Sequence, residues 1–348
     1  MDNIPHRLTG ETDERRKDMS RRRMLLSGLT FAAMSYLPFR AYAASEWPAR
    51  GPIKIIVPFS PGASTDTLAR FVAKELSQRL NQSIVVENKA GAGGVIGTTY
   101  VANQPPDGYT LLFQANPYVA TPLLLAEKTK KLPYDPVKDL QPVDRIATAP
   151  LMIIVSNDLN VKSLHDFIEL ARSKPSSISY GSAGVGSINH MAVEMLASMA
   201  NVKLVHVPYT GIGPATTDLL GGRLQMMTVS LPSALPYVRA GKVHALAVTS
   251  SARSSLVPDL PTVSEAGVAG YHLEAWWGLL GPLGLPTPII KRLDDELAAL
   301  LQSKSMAEVL GREGATPGPL GSTGYAALIK EEVPQWNKVI KDAHITVS

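Results

Sequence analysis

Apolar residues along the chain alternate between short runs with a strand-like pattern and longer runs with helical spacing. In the first half, strand-like runs at 53–59, 83–87 and 110–113 alternate with helix-like runs at 65–80 and 94–102. Strands that alternate with helices are typical of βαβ units. The pattern therefore predicts an α/β protein with parallel strands.

The same alternation resumes after residue 146. The helix-like run at 188–200 has the clearest signal, because its apolar residues recur at helical spacing. We expect this stripe to pack in a core. Its members are Ile188, Met191, Ala192, Met195, Leu196 and Met199. The other runs are strand-like at 151–155, 178–180, 204–209, 224–228 and 243–249, and helix-like at 164–173.

The C-terminal part has two helix-like runs, 288–302 and 324–341, without strands of their own. We expect them to pack against the first half. The chain would then cross between the two halves twice, near 146–150 and near 271–277. Two connections between two α/β halves form a hinge, and closure of a hinge around a ligand is a common outcome.

This topology predicts two domains. Domain 1 would contain residues 44–147 and 273–348, and domain 2 would contain residues 148–272. Each part is long enough to bury its own hydrophobic core.

The first 43 residues have the composition of an export signal. A serine and three arginines at 20–23 precede an apolar run at 24–37, and small residues precede a cleavage position after Ala43. This pattern predicts a twin-arginine signal peptide and a periplasmic, soluble mature chain. Either Met1 or Met19 could be the true start, and the sequence leaves both open.

Removal of the leader changes the charge balance. Residues 1–43 contain eight of the 34 basic residues and five of the 30 acidic residues, which leaves 26 basic and 25 acidic residues. A nearly neutral chain lacks the strongly basic surface that binds nucleic acids, so we expect no nucleic-acid partner. The chain has no cysteine, which excludes disulfides and thiolate chemistry. Scattered histidines argue against a metal site, and we expect no cofactor.

Residues 58–66, called loop 1 here, connect the first strand-like run to the first helix-like run. Backbone N–H groups at the start of a helix have no partner within it, and with nearby hydroxyl groups they bind anions. Asp66 would repel an anion, so it either caps the loop or accepts a hydrogen bond from a ligand. The alternative is an ordinary turn. The candidate ligand-binding residues are Phe59, Gly62, Ala63, Ser64, Thr65 and Asp66.

Residues 180–190, called loop 2 here, repeat this chemistry in the second half. Ser187 is suited to cap the helix that follows. His190 lies opposite the apolar stripe of that helix, which leaves two interpretations, a solvated histidine or a residue that shapes the site. The candidate ligand-binding residues are Ser182, Ala183, Gly184, Gly186, Ser187 and His190.

Selectivity would come from residues outside the two loops. Ligands of open α/β sheets bind outside the carboxyl ends of the strands, where Thr210 lies at the same edge as loop 2. Asn116 and Ser230 follow other predicted strands and are further candidate ligand-binding residues, and Trp276 lies where the chain crosses the second time.

Two enzyme-like interpretations have weaker support. The glycine-rich stretch 91–97 lacks the G-x-G-x-x-G spacing, and the chain has no P-loop motif. A serine hydrolase would pair Ser182 or Ser187 with His190, but the chain lacks a G-x-S-x-G motif. The hydrolase, an esterase or amidase, remains the alternative to a binding protein.

Six long motifs occur in a consistent order, and together they resemble the extracytoplasmic solute receptors of the tripartite tricarboxylate transporter family, often called Bug receptors. The resemblance covers nearly the whole mature chain. The motifs are PFSPGASTDTLAR at 58–70, VVENKAGAGGVIG at 85–97, PDGYTLL at 106–112, YGSAGVGSINHMA at 180–192, VPYTGIGPATTDLLGG at 207–222 and PSALPYVRAGKVHALAVTS at 232–250.

This resemblance implies a periplasmic binding protein fold, with two α/β domains, a double-crossing hinge and a cleft between the domains. It also implies a small carboxylate ligand, held by the two loops. We therefore expect a monomeric receptor with no catalytic residues, which delivers its ligand to integral membrane transporter subunits. A ligand-sensing partner of a membrane signalling protein is a further alternative.

Overall fold

Strands and helices alternate through the computed structural model, which describes residues 47–62 and 64–345. The predicted signal peptide, with its cleavage position after Ala43, lies outside the described residues. Among the helices in the described ranges, none is both long enough and apolar enough to span a membrane.

The bounds of the regular elements are as follows. The strands are β1 Ile53–Val57, β2 Ile84–Asn88, β3 Thr110–Ala115, β4 Leu140–Ser156, β5 Ser179–Ser182, β6 Val205–Pro208, β7 Met226–Ser230, β8 Val243–Val248, β9 Glu274–Pro282 and β10 Thr316–Pro317. The helices are α1 Ser64–Leu80, α2 Val95–Ala102, α3 Pro117–Thr129, α4 Leu164–Ser173, α5 Ile188–Ala200, α6 Ile212–Leu220, α7 Leu231–Arg239, α8 Thr287–Leu301, α9 Lys304–Arg312 and α10 Gly321–Asp342.

The first half is built on parallel strands. β1 lies between β2 and β3, with Ile55 opposite Val86 on one side and Leu111 on the other. Helix α1 buries Leu68 and Leu76 against this sheet, because its apolar residues recur at helical spacing. The βαβ pattern of the sequence is confirmed here.

Two long strands run antiparallel to their neighbours. β9 pairs antiparallel with both β3 and β4, with Leu279 opposite Phe113 and Trp276 opposite Thr148. The prediction of parallel sheets is wrong for β8, which pairs antiparallel with β4, and for β4 and β9 themselves. The physical reason for β4 and β9 is that one strand leaves the first half and the other returns to it, so the two lie side by side in opposite directions.

Strand β4 belongs to both halves of the protein. Its residues 140–150 pair with β9, and its residues 151–156 pair with β7 and β8. On the return path, Leu273 N–H donates to Thr249 O immediately before β9 begins. The strand partners therefore change at the two places where crossings are predicted. The predicted domain boundaries themselves remain a prediction.

The second half has β5 between β6 and β7, both parallel to it. Helices α4 and α5 have the predicted bounds, and α5 buries most of its predicted stripe. Ile188 is partly buried and packs against the core, and Met199 is 41% exposed. The last turn of α5 still contributes Ala197 and Ala200 to the core, so Met199 lies at the edge of the buried face.

Helix α8 packs against the first half, as predicted, whereas α10 also contacts the second half, because Gln335 and Asp342 of α10 bond to Met195 and Ser198 of α5. Leu293 and Leu297 of α8 lie in one hydrophobic cluster with Ile55 of β1. The sequence did not indicate α3, α7, α9, β9, β10 or residues 140–150 of β4. Prolines inside α3 and α7 weaken their helical pattern, and α9 is short and begins soon after α8.

Replacement of Gly278 tests the packing between β9 and α10. A Cβ atom at this position would lie 2.4 Å from the hydroxyl oxygen of the buried Tyr325. We expect Gly278→Ala to destabilise the protein by about 1 to 3 kcal/mol, because the ring has no space to move. Urea unfolding measures this change.

Gly311, inside α9, provides the matched control. A Cβ atom there would contact nothing within 4 Å. We expect Gly311→Ala to stabilise the protein by roughly 0.5 to 1 kcal/mol, because alanine is favoured over glycine in a helix. Equal stability of the two variants would contradict the packing described for β9.

Candidate ligand-binding cleft

Loop 1 is held in place by Asp66 in the first turn of α1. One carboxylate oxygen, Oδ2, accepts hydrogen bonds from Gly62 N–H and Arg70 Nε, both at 3.0 Å. The other oxygen, Oδ1, accepts from Asn88 Nδ2 at 2.8 Å. The same Asn88 amide donates to Phe59 O at 3.0 Å. Asp66 therefore fastens loop 1 to the end of β2.

These contacts decide between the two interpretations of Asp66. The side chain is only 3% exposed, and both of its oxygens have protein partners. Burial opposes ionisation, but hydrogen bonds from Arg70, Gly62 and Asn88 hold the pKa of Asp66 below its ordinary value. The geometry supports the capping role, and a direct ligand contact has little support.

The hydroxyl groups of Ser64 and Thr65 at the end of loop 1 also have protein partners. Ser64 Oγ donates to Glu313 Oε2 at 2.6 Å, and Thr65 Oγ1 accepts from Trp277 Nε1 at 3.2 Å. Gly62 has a φ of 88° and open space around the position of a Cβ atom. Loop 1 therefore offers a ligand mainly backbone and the Phe59 ring. Ala63 lies outside the described residues.

Loop 2 is fixed by its own serines. Ser182 Oγ accepts from Gly184 N–H at 3.0 Å. Ser187 caps α5 as predicted, because its Oγ accepts from His190 N–H at 3.3 Å and donates to Gly184 O at 2.7 Å. Gly184 and Gly186 have φ values of 111° and 81°, which favour glycine.

His190 is buried, and the interpretation as a solvated residue is wrong. It is 2% exposed, its ring stacks on His206 at 4.0 Å, and its Nδ1 accepts from Gly186 N–H at 3.2 Å. Burial lowers the pKa of His190 to about 3, and His206 contributes to the same shift. The helix face opposite the apolar stripe is covered by rings from β5 and β6, which the stripe alone did not reveal.

The serine–histidine pair proposed for a hydrolase is not formed as predicted. Ser182 Oγ lies 2.7 Å from the Nε2 atom of His206, not of His190. Ser182 has no exposed surface, and the Ser187 hydroxyl serves as the helix cap. Sequence reasoning missed His206. The parallel register of β5 and β6 places His206 opposite Tyr180, which lies two residues before Ser182 in the chain.

A cavity of about 420 Å³ lies between the two loops. Loop 2 meets α3 beside it, since a Cβ atom at Gly186 would lie 3.0 Å from Leu124 Cδ1. The predicted residues that line the cavity are Phe59, Ala183, Gly186 and Ser187. The residues that sequence reasoning missed are Ala92, Gly93, Pro117, Thr121, Leu124, Leu125 and Val185. The glycine-rich stretch 91–97 is the sequence signal for this surface, and it contributes Ala92 and Gly93.

The remaining candidates have different positions. Asn116 ties the start of α3 to β9, because its Nδ2 donates to Glu274 O at 2.9 Å and its Oδ1 accepts from Trp276 N–H at 2.8 Å. Thr210 is exposed beside loop 2, next to the residue whose N–H donates to Ser182 O. Ser230 precedes α7, and its hydroxyl bonds to Ser233 Oγ at 2.9 Å. Their contact with a ligand remains a prediction.

Trp276 does not line this cavity. Its indole N–H donates to the buried carboxylate of Glu332 at 2.8 Å, and burial raises the pKa of Glu332 to about 7. The ring belongs to the packing between β9 and α10.

The arrangement suits an anionic ligand. Helices α1 and α5 both begin at the loops, and the start of a helix favours negative charge. In the described ranges, no three histidine, aspartate or glutamate side chains cluster as metal ligands would.

Comparison with known proteins gives a consistent result. The family described as tripartite tricarboxylate transporter family receptor matches residues 68–345. A structure of R. palustris Rpa4515 with adipate is 36% identical, with a TM-score of 0.72, and the match covers 86% of this chain and 99% of that chain.

Two further solved structures are similar. The periplasmic binding protein BugD is 33% identical with a TM-score of 0.69, covering 85% of this chain and 99% of its own. MatC from Rhodopseudomonas palustris with bound malate is 33% identical with a TM-score of 0.69, covering 84% and 99%. The predicted α/β binding-protein fold is confirmed by these similarities.

Proposed function

Because the chain belongs to the receptor family of tripartite tricarboxylate transporters, we propose that it captures a small carboxylate between loop 1 and loop 2 and delivers it to a membrane transporter. The observation that carries this proposal is the cavity of about 420 Å³ that contacts both loops. The adipate and malate in two similar structures support a dicarboxylate.

The energetics are compatible with this ligand. Burial of a carboxylate costs several kcal/mol, and the described residues that line the cavity include no arginine or lysine. Each helix start contributes about 1 kcal/mol, and each charge-assisted hydrogen bond contributes roughly 1.5 to 3 kcal/mol. Four or five such donors therefore support binding in about the micromolar range.

The apolar wall of the cavity adds a second contribution. Leu124 and Leu125 of α3 and Val185 of loop 2 lie along it. Methylene groups between two carboxylates would pack there, with roughly 0.8 kcal/mol gained for each buried group.

Binding without catalysis is part of the proposal. Ser182 has a histidine partner but is fully buried. Ser187 lines the cavity, but its hydroxyl donates to Gly184 O and caps α5, so it has no histidine base among the described residues. We further propose that the receptor is monomeric and needs no cofactor.

The site of action follows from the same role. We propose that the receptor is periplasmic and is exported by the twin-arginine signal in residues 1–43, with cleavage after Ala43. Replacement of Arg21 and Arg22 by lysine should keep the chain in the cytoplasm, as fractionation would show. Unimpaired export would contradict this signal assignment.

Calorimetry with adipate and malate tests the ligand class. We expect binding of at least one of them, and we expect Gly62→Val to weaken it by about tenfold or more. Gly62 has a φ of 88°, which valine strongly disfavours, so the backbone of loop 1 has to move.

Gly241→Val is the matched control. Gly241 has a similar positive φ of 66° and equally open surroundings, but it lies in the turn between α7 and β8. We expect the Gly241→Val variant to lose stability as Gly62→Val does but to keep its affinity for adipate or malate. Equal losses of affinity would refute the role of loop 1, and covalent labelling by a serine-directed acylating probe would favour the hydrolase.

Small-angle scattering tests closure of the two halves. The strand partners of β4 change at Pro150–Leu151, which supports a hinge between the halves at this point. We expect the radius of gyration to fall when adipate or malate binds, because closure brings loop 1 and loop 2 together. Binding shown by calorimetry without any such fall would disprove closure.

A further inference from the structure

Two histidines, one at the end of loop 2 and one on the neighbouring strand β6, stack on each other without lining the cavity. The rings of His190 on α5 and His206 on β6 lie 4.0 Å apart at 22°. Tyr180 of β5 stacks on both rings, and its hydroxyl donates to Glu194 of α5. Each histidine contacts a different residue of loop 2.

The contacts of His190 define its tautomer. Its Nδ1 accepts a hydrogen bond from Gly186 N–H at 3.2 Å, so this nitrogen carries no proton. The proton of a neutral ring is then on Nε2, which faces Glu194 Oε1 at 3.9 Å.

The contacts of His206 support the opposite tautomer. Ser182 Oγ accepts from Gly184 N–H, and its own proton has two possible acceptors, His206 Nε2 at 2.7 Å and Gly184 O at 3.2 Å. We assign the proton to the shorter contact, which makes Nε2 of His206 the acceptor and places its ring proton on Nδ1. In the alternative arrangement Nε2 donates to Ser182 Oγ and the hydroxyl donates to Gly184 O, and the NMR measurement below distinguishes the two.

Both rings remain neutral in this environment. Burial lowers the pKa of His190 to about 3, with a contribution from His206, and burial lowers the pKa of His206 to about 4. The other titratable groups that face the pair are Tyr180 and Glu194, and burial raises the pKa of each. Two adjacent imidazolium ions would also repel each other.

We propose that His190 and His206 are positioning residues for the carboxylate site, acting as a pair of neutral acceptors that fix the backbone of loop 2. His190 holds Gly186, and His206 holds the Ser182 hydroxyl that in turn accepts from Gly184. Ala183 and Val185, which alternate with these anchored residues, line the cavity. This inference rests on the proposed function.

Ring-preserving variants test the acceptor role. His190→Phe and His206→Phe keep an aromatic ring for stacking but remove the acceptor. Each should weaken adipate or malate binding by about tenfold, because a loop 2 donor loses its partner. His190→Asn and His206→Gln place a side-chain oxygen near the position of Nδ1 and Nε2 respectively, and they should bind within about threefold of the wild type.

Tyr271→Phe separates positioning from general stability. The buried Tyr271 hydroxyl donates to Ala192 O of the same helix α5 at 2.9 Å, away from loop 2. Its loss should lower the melting temperature and leave affinity unchanged. Unchanged affinity in both phenylalanine variants, or no recovery with asparagine and glutamine, would overturn the inference.

Nitrogen-15 NMR of the histidine rings in the wild-type protein tests the geometry without a ligand. At pH 7, His190 should have its proton on Nε2, and His206 should have its proton on Nδ1. Identical tautomers or a charged ring would overturn the inference while leaving the proposed function intact. Failure of the wild type to bind any carboxylate would overturn the proposed function and the positioning role with it.

Discussion

The antiparallel pairing of β4 with β9 is the interaction on which the rest of the structure depends. β4 pairs with β9 over residues 140–150 and with β7 and β8 over residues 151–156, so one strand belongs to both halves. Buried backbone groups have to keep their hydrogen bonds, which makes this ladder costly to disrupt. We therefore propose that a hinge between the halves would bend where the partners change, at Pro150–Leu151 and beside Leu273.

The two loops present mainly backbone to the proposed binding site, and buried polar side chains fix that backbone in place. Asp66 fastens loop 1 through Gly62 and Asn88, while His190 and His206 fasten loop 2. Peptide groups cannot be tuned by substitution, so the side chains that fix their direction have the larger effect on affinity. We propose that the apolar wall that α3 adds to the cavity contributes to ligand selectivity.

Sequence patterns predicted elements best where the periodicity was long and uninterrupted. The bounds of α4 and α5 agree with the spacing of their apolar residues, and both loops lie where strand-like runs meet helix-like runs. The pattern failed for α3, where proline interrupts the helical signal, and α3 supplies much of the cavity wall. It also failed for His190, because its burial depends on rings from two other strands.

The sequence by itself determined the α/β class, the two crossings, the two glycine-containing loops and the family motifs, because these depend on local spacing and on residue order. Only the tertiary structure decided that β4 and β9 run antiparallel, that Asp66 caps loop 1, and that His206 rather than His190 bonds to Ser182. Such contacts join residues far apart in the chain or in different elements. Their partners are selected by packing and by the need to pair every buried polar group.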